Sequence, residues 1–111
     1  MMFTNFEAGN KTYKLRLNTR ALVQLEKQLG NNPVMVFKDV NESNLPTITQ
    51  MVNILYASLQ PYNHGITLED AYNIFDKYVE DGHNPFEFIQ VIVDVFQVSG
   101  LIPKEVEEEK N

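Results

Sequence analysis

The segment from Asn18 to Pro33 carries its own start, its own stop and one apolar face, so the rest of the chain has to be built around it. Asn18 or Thr19 can cap the free N–H groups at its start. Gly30 can take the left-handed conformation that closes a helix, and Pro33 keeps the helix from resuming. Ala21, Leu22, Leu25 and Leu29 recur between them at helical spacing, which predicts one short amphipathic helix whose stripe must pack on neighbouring segments. Glu26 falls beside that stripe, where it can pair with a basic residue of the preceding segment such as Arg16; the competing expectation is plain exposure.

The partners of this helix must come from one domain, since 111 residues hold enough material for a modest core and not for two. The chain has no cysteine, which excludes disulfide scaffolds, thiolate zinc sites and cysteine nucleophiles. The N-terminal residues Met1 to Glu7 lack the basic start and apolar run of an export signal, and no apolar stretch approaches the roughly 20 residues needed to span a bilayer. The expectation is a cytoplasmic protein that engages neither membrane nor nucleic acid, the latter because a net charge of −6 offers no concentrated basic surface. That charge is unevenly placed. Residues 1–38 hold six Lys or Arg against two acids, a balance of +4, leaving −10 for residues 39–111. The basic segment is expected to lie on acidic helices of the same domain, or else to face an acidic partner.

Ahead of the central helix, Met2–Glu7 and Lys11–Leu17 are predicted as two strands joined at Ala8-Gly9-Asn10. Tyr13, Leu15 and Leu17 alternate with Thr12, Lys14 and Arg16, the period of a strand with one wet face. A lone hairpin is marginal in water, so this face should rest on a helix, and the first helix is the nearest. After Pro33 a short turn through Val34, Met35, Val36 and Phe37 is expected, with Phe37 as its anchor, then a polar loop from Asp39 to Pro46.

Thr47 and Gln50 form a capping box ahead of Ile48, Met51, Val52, Leu55, Tyr56 and Leu59, predicting a second helix that ends before Pro61. Thr67, with Asp70 three residues on, caps a third, whose face is read as Leu68, Ala71, Tyr72, Phe75, Tyr78 and Val79 and whose end is Gly82. Asn84-Pro85 opens a fourth and Gly100 closes it, with Leu101 and Ile102 folding back. The expected fold is therefore mainly α: about four helices with an N-terminal β-hairpin over residues 1–103. Residues 104–111 are expected to form a charged, solvated tail.

The fourth helix has the widest apolar surface. At about 100° per residue, Glu87, Gln90, Asp94 and Gln97 fall within an arc of about 80°, and apolar residues fill the remainder around Ile92. Either the helix runs through the centre of the domain, or Phe88, Ile89, Ile92, Val95 and Phe96 serve the core while Phe86 with Val93, or Val91 with Val98, face outward as a partner-binding surface.

Catalytic patterns are sparse. The five glycines are scattered, each at an element end, so no phosphate-binding loop is formed, and Ser43, Ser58 and Ser99 lack the setting of a nucleophile elbow. Asp76, Glu80 and His83 would align as metal ligands on a continuous helix, but Gly82 intervenes, so a solvated face and no metal are expected. No cofactor is implied. The aromatic residues are mostly at core spacing rather than forming a base-stacking platform. Met35 and Met51 read as gap-fillers.

The run from Tyr13 through Gly30, followed by Asn32-Pro33, resembles the opening of the tail assembly chaperones of long-tailed phages and prophages of Gram-positive bacteria. Leu45-Pro46-Thr47 leading to Leu55 and Leu59, His64-Gly65-Ile66-Thr67 leading to Ala71-Tyr72 and Asp76, and Ser99-Gly100-Leu101-Ile102-Pro103-Lys104 are similar to that family in the same order, so the likeness spans roughly residues 11–104. The resemblance implies a non-enzymatic cytoplasmic protein of the host cell that binds the tape measure protein, helps to recruit tail tube subunits and is absent from the mature virion. It also implies a longer, frameshifted product through which the tube protein would be engaged. The alternative is a structural head–tail connector or tail-completion protein.

Overall fold

A computed structural model describes residues 2–37 and 45–103. The elements are β1 (Thr4–Ala8), β2 (Lys11–Leu15), α1 (Thr19–Leu29), α2 (Ile48–Leu59), α3 (Leu68–Glu80) and α4 (Phe88–Val98), with 3-10 turns at Pro33–Phe37, Gln60–Tyr62 and Pro85–Glu87. This is a mainly helical domain of four helices with an N-terminal antiparallel hairpin, as the sequence predicts. Most of the Asp39–Pro46 loop and the 104–111 tail lie outside the described residues.

The helix starts are set by local chemistry. Asn18 caps α1 by accepting from the Ala21 N–H, and Gly30 closes it at φ 83°. Thr47 and Thr67 each form a reciprocal capping box, with Gln50 and Asp70, so that two N–H groups left over by the helix are satisfied at each start. Asn84 accepts from the Glu87 N–H, but this cap opens a 3-10 turn through Pro85, and α4 proper begins three residues later than the Asn-Pro signal suggests. At the far end Gly100 turns the chain at φ 81° and the Leu101 N–H donates back to the Phe96 carbonyl at 2.9 Å. Leu101 and Ile102 then pack on the core.

The central helix is α2. It packs against α1, α3, α4 and β2, and buries Met51, Val52, Ile54, Leu55, Ala57, Ser58 and Leu59. Ser58 is the one buried polar side chain among the described residues, and its hydroxyl is satisfied by donating to the Leu55 carbonyl at 3.0 Å. α4 is covered in its turn by α2 and β1, by the Phe75 and Tyr78 rings of α3 against Phe88, and by Phe37 against Phe96, while its flanking valines are half-buried.

The hairpin is paired in the register Phe6↔Tyr13 and Thr4↔Leu15. Phe6, Ala8, Leu15 and Leu17 are buried, whereas Tyr13 is only partly so. The hairpin does not use α1 as its main support, although α1 follows it directly. β1 packs on α3 and α4, and β2 on α2. Phe6 meets the rings of Tyr78 and Phe88 at centroid distances of 5.0 and 5.7 Å, and that aromatic cluster joins strand to helices. Polar stitches complete the join. Arg16 N–H donates to the Ser58 carbonyl at 2.9 Å, Leu17 N–H to Ser99 Oγ at 2.8 Å, and Arg16 Nη1 to the Val98 and Met2 carbonyls at 2.9 Å each. At the other end the Gly9 N–H, in a turn at φ 67°, donates to Asp81 Oδ2 at 2.8 Å.

Candidate interaction surface

The capping box at Thr47 fixes the first turn of α2, and this places Ile48 beside Tyr72 on α3 across an open groove of about 330 Å³. Val52 and Phe75, both buried, form its floor, while Ile48 and Tyr72 stand 49% and 48% exposed at its sides. Thr49, Asn53 and Asp76 supply a polar rim. An apolar floor between two helices with half-exposed apolar walls is the geometry that receives the anchor side chains of an amphipathic helix. Beyond Asn53 the α1–α2 seam at Gln24, Gln28 and Tyr56 is nearly closed, at about 10 Å³, and the outer face of α1 follows with Arg20, Val23 and Lys27.

Sequence periodicity assigned Ile48, Tyr72 and Val79 to buried faces, and the structure leaves all three exposed. Ile74, outside the predicted stripe, is buried. On α3 the buried set is Ala71, Ile74, Phe75 and Tyr78, so the core direction lies about 50° round the helix from the centre of the predicted stripe. Ile48 belongs to the first turn of α2. Met35, expected to fill a gap, is exposed, whereas Met51 is buried.

The four α4 positions expected to face a partner divide. Phe86 is 58% exposed, in the turn that precedes the helix. Val91 is partly buried against the core, and Val93 and Val98 are partly buried on their flanks. The Val98 carbonyl is held by Arg16. α4 buries Phe88, Ile92, Val95 and Phe96, with Ile89 packed beside them.

The hairpin of the basic N-terminal segment lies on α3 and α4, but its lysines and arginines make no ion pair with them among the described residues. Among the described residues the one ion pair is His83 Nδ1 with Glu87 Oε1 at 2.8 Å. Glu26 is exposed, and Arg16 spends its guanidinium on backbone carbonyls instead of on Glu26. Lys14 Nζ lies 4.9 Å from the Phe3 ring centroid and 5.9 Å from that of Tyr62, and Lys11 Nζ lies 5.6 Å from that of Tyr13. Arg20 and Lys27 line the outer face of α1.

His83 lies beyond the end of α3, past Gly82 at φ 107°, and its ring stacks on Tyr78 at 4.4 Å. It is therefore directed to Glu87 and does not complete a line with Asp76 and Glu80. Among the described residues no three His, Asp or Glu side chains are grouped to hold a metal ion. Burial, and secondarily the negative charge of Glu87, push the Tyr78 phenol above its ordinary pKa. No helix among these residues is long and apolar enough to cross a membrane.

Residues 4–110 match a family described as a family of unknown function, DUF6096. The chain belongs to that family. The match takes in the hairpin, all four helices and the groove between α2 and α3, so the surface lies within the family's own span. No curated protein and no solved structure matches the chain.

Proposed function

We propose that this protein is a non-enzymatic tail assembly chaperone of a phage or prophage, which receives an apolar helical segment of the tape measure protein in the groove between α2 and α3. The observation that carries this reading is the groove itself, in which Ile48 and Tyr72 remain half exposed over a floor of Val52 and Phe75. A tape measure protein is long, helical and rich in apolar surface. A protein that keeps such a partner from associating with itself needs an accessible apolar groove and no chemistry. The resemblance over residues 11–104 names the partner, and tube subunits would be recruited through a longer frameshifted form. Its place of action is the host cytoplasm.

Co-expression with the tape measure protein of the same phage or prophage tests the proposal. The unaltered chain should co-purify with the tape measure and be missing from purified particles. Ile48→Asp and Tyr72→Asp should each abolish co-purification while leaving the circular dichroism spectrum unchanged, because both side chains are exposed. Presence of the protein in finished particles at fixed stoichiometry would instead identify a connector or tail-completion component.

A further inference from the structure

The outer face of α1 and the open edge of α3 carry matching triplets of opposite charge. On α1, Arg20, Val23 and Lys27 recur at i, i+3 and i+7, which puts them on one face, and all three are exposed, Val23 by 47%. On α3, Glu69, Tyr72 and Asp76 recur at the same spacing and are also exposed, Tyr72 by 48%. Each triplet is an apolar side chain standing between two like charges about 10 Å apart along the helix axis. The charges are cations on α1 and anions on α3.

The surroundings keep the two faces distinct in sign. Arg20 and Lys27 share their hollow with Thr19, Val23 and Gln24. The α2–α3 groove takes its charge from α3 alone, since α2 carries no charged residue and Asp76 is the charged side chain among those described as lining the groove. Within one molecule both helices pack on α2, and none of the four charged side chains enters an ion pair among the described residues. The chain as a whole divides the same way, with a balance of +4 over residues 1–38 and −10 over residues 39–111.

From this match we infer that the protein associates with a second copy of itself, the outer face of α1 in one copy lying in the α2–α3 groove of the next. Val23 then sits over Val52 and Phe75, between Ile48 and Tyr72, while Arg20 and Lys27 meet Glu69 and Asp76. The equal spacing lets both cations meet both acids whether the helices run parallel or antiparallel. The contact joins two different surfaces, so association continues past two copies unless the arrangement closes on itself. One apolar anchor flanked by exposed ion pairs holds weakly, and the association therefore depends on concentration and falls with ionic strength. The groove is the one proposed above to take a tape measure helix, but self-association stands on the two faces alone and needs no tape measure protein.

Sedimentation velocity of the full chain by itself, over a series of concentrations at low ionic strength, tests the inference. The weight-average mass should rise above that of one chain as concentration increases and fall back when salt is added. Arg20→Glu/Lys27→Glu and Glu69→Lys/Asp76→Lys each put like charges on both faces, and each should weaken association by roughly tenfold or more. Mixed in equal amounts, the two double variants present opposite charges again, and the mixture should associate. Val23→Asp, which alters the apolar anchor alone, should weaken association as well. All five side chains are exposed, so each variant should keep the circular dichroism spectrum of the parent. A parent that stays monomeric at every concentration, charge reversals that leave its association unchanged, or double variants that fail to associate on mixing would each overturn the inference. Co-purification with the tape measure protein is a separate readout: Arg20→Glu/Lys27→Glu leaves the groove itself unaltered and should retain it.

Discussion

Helices α2 and α4 are nearly equal in apolar content, yet α2 buries seven of its twelve residues and α4 four of its eleven. The difference is one of position: α2 has helices on three sides and a strand beside it, whereas α4 leans mainly on α2 and β1, with α3 and the Pro33–Phe37 turn reaching it through single rings at Phe88 and Phe96. A wide apolar arc therefore does not make a helix central. α2 holds the centre while carrying Gln50, Asn53 and Ser58, because Ser58 finds its partner within the helix and the other two occupy its narrow outer strip. The surplus apolar surface of α4 goes into half-buried valines along its flanks, and the most open apolar side chains of the α2–α3 groove lie on α2 and α3 themselves.

The sharpest way to break this contrast is to truncate one aliphatic side chain on each helix. Ile54→Ala, in the buried face of α2, should lower unfolding free energy by about 2–5 kcal/mol in urea titrations. Val93→Ala, on the flank of α4, should lower it by about 1 kcal/mol or less. A reversal of that order would restore α4 to the centre.

Arg16 ties the exit of the hairpin to the C-terminal end of α4, where a cation also meets the negative end of the helix dipole. Arg16→Met should cost about 1–2 kcal/mol by thermal or chemical denaturation, since it removes two hydrogen bonds from a charged donor at a partly exposed site. Glu26→Gln, which breaks no contact among the described residues, should stay within about 0.5 kcal/mol of the parent. Equal losses in the two variants would mean that the two side chains act as a pair.

Tyr78 offers a smaller effect that emerges only in alkali. An unfolded tyrosine titrates near about 10, and burial raises the folded value above that. The contribution of the neutral phenol to stability is therefore complete below pH of about 10 and lost as pH rises through the folded value, because the unfolded chain releases its proton first. Tyr78→Phe should flatten the fall in melting temperature above that pH and leave its pH dependence below unchanged.

How much of this was legible in advance follows from how local each feature is. The caps at Asn18, Thr47, Thr67 and Asn84 are readable because a cap is a contact between residues two or three apart; the first three start helices as expected, while Asn84 caps the 3-10 turn that leads into α4 and not α4 itself. The hairpin turn at Gly9-Asn10 was readable for the same reason. What the hairpin packs on was not, because β1 meets α3 and α4 some sixty or more residues later in the chain. Ile74, Ala57 and Ile54 were missed and Tyr72 and Val79 misplaced because a helical wheel gives the width of an apolar arc, while the neighbours decide which part of it is covered. The groove was therefore hidden in the sequence. Its walls read as ordinary core positions, and only the placement of α2 against α3 leaves Ile48 and Tyr72 open.

The most direct test of the proposed role is a titration of the isotope-labelled domain with helical peptides tiled along the tape measure protein, followed by amide chemical shifts. Binding in the groove predicts that at least one peptide shifts Ile48, Val52, Asn53, Tyr72 and Asp76 together, saturably, and that Tyr72→Asp removes the effect. Saturable shifts confined to Phe86, Val93 and Val98, or tight binding that survives Tyr72→Asp, would contradict it and place the partner on α4.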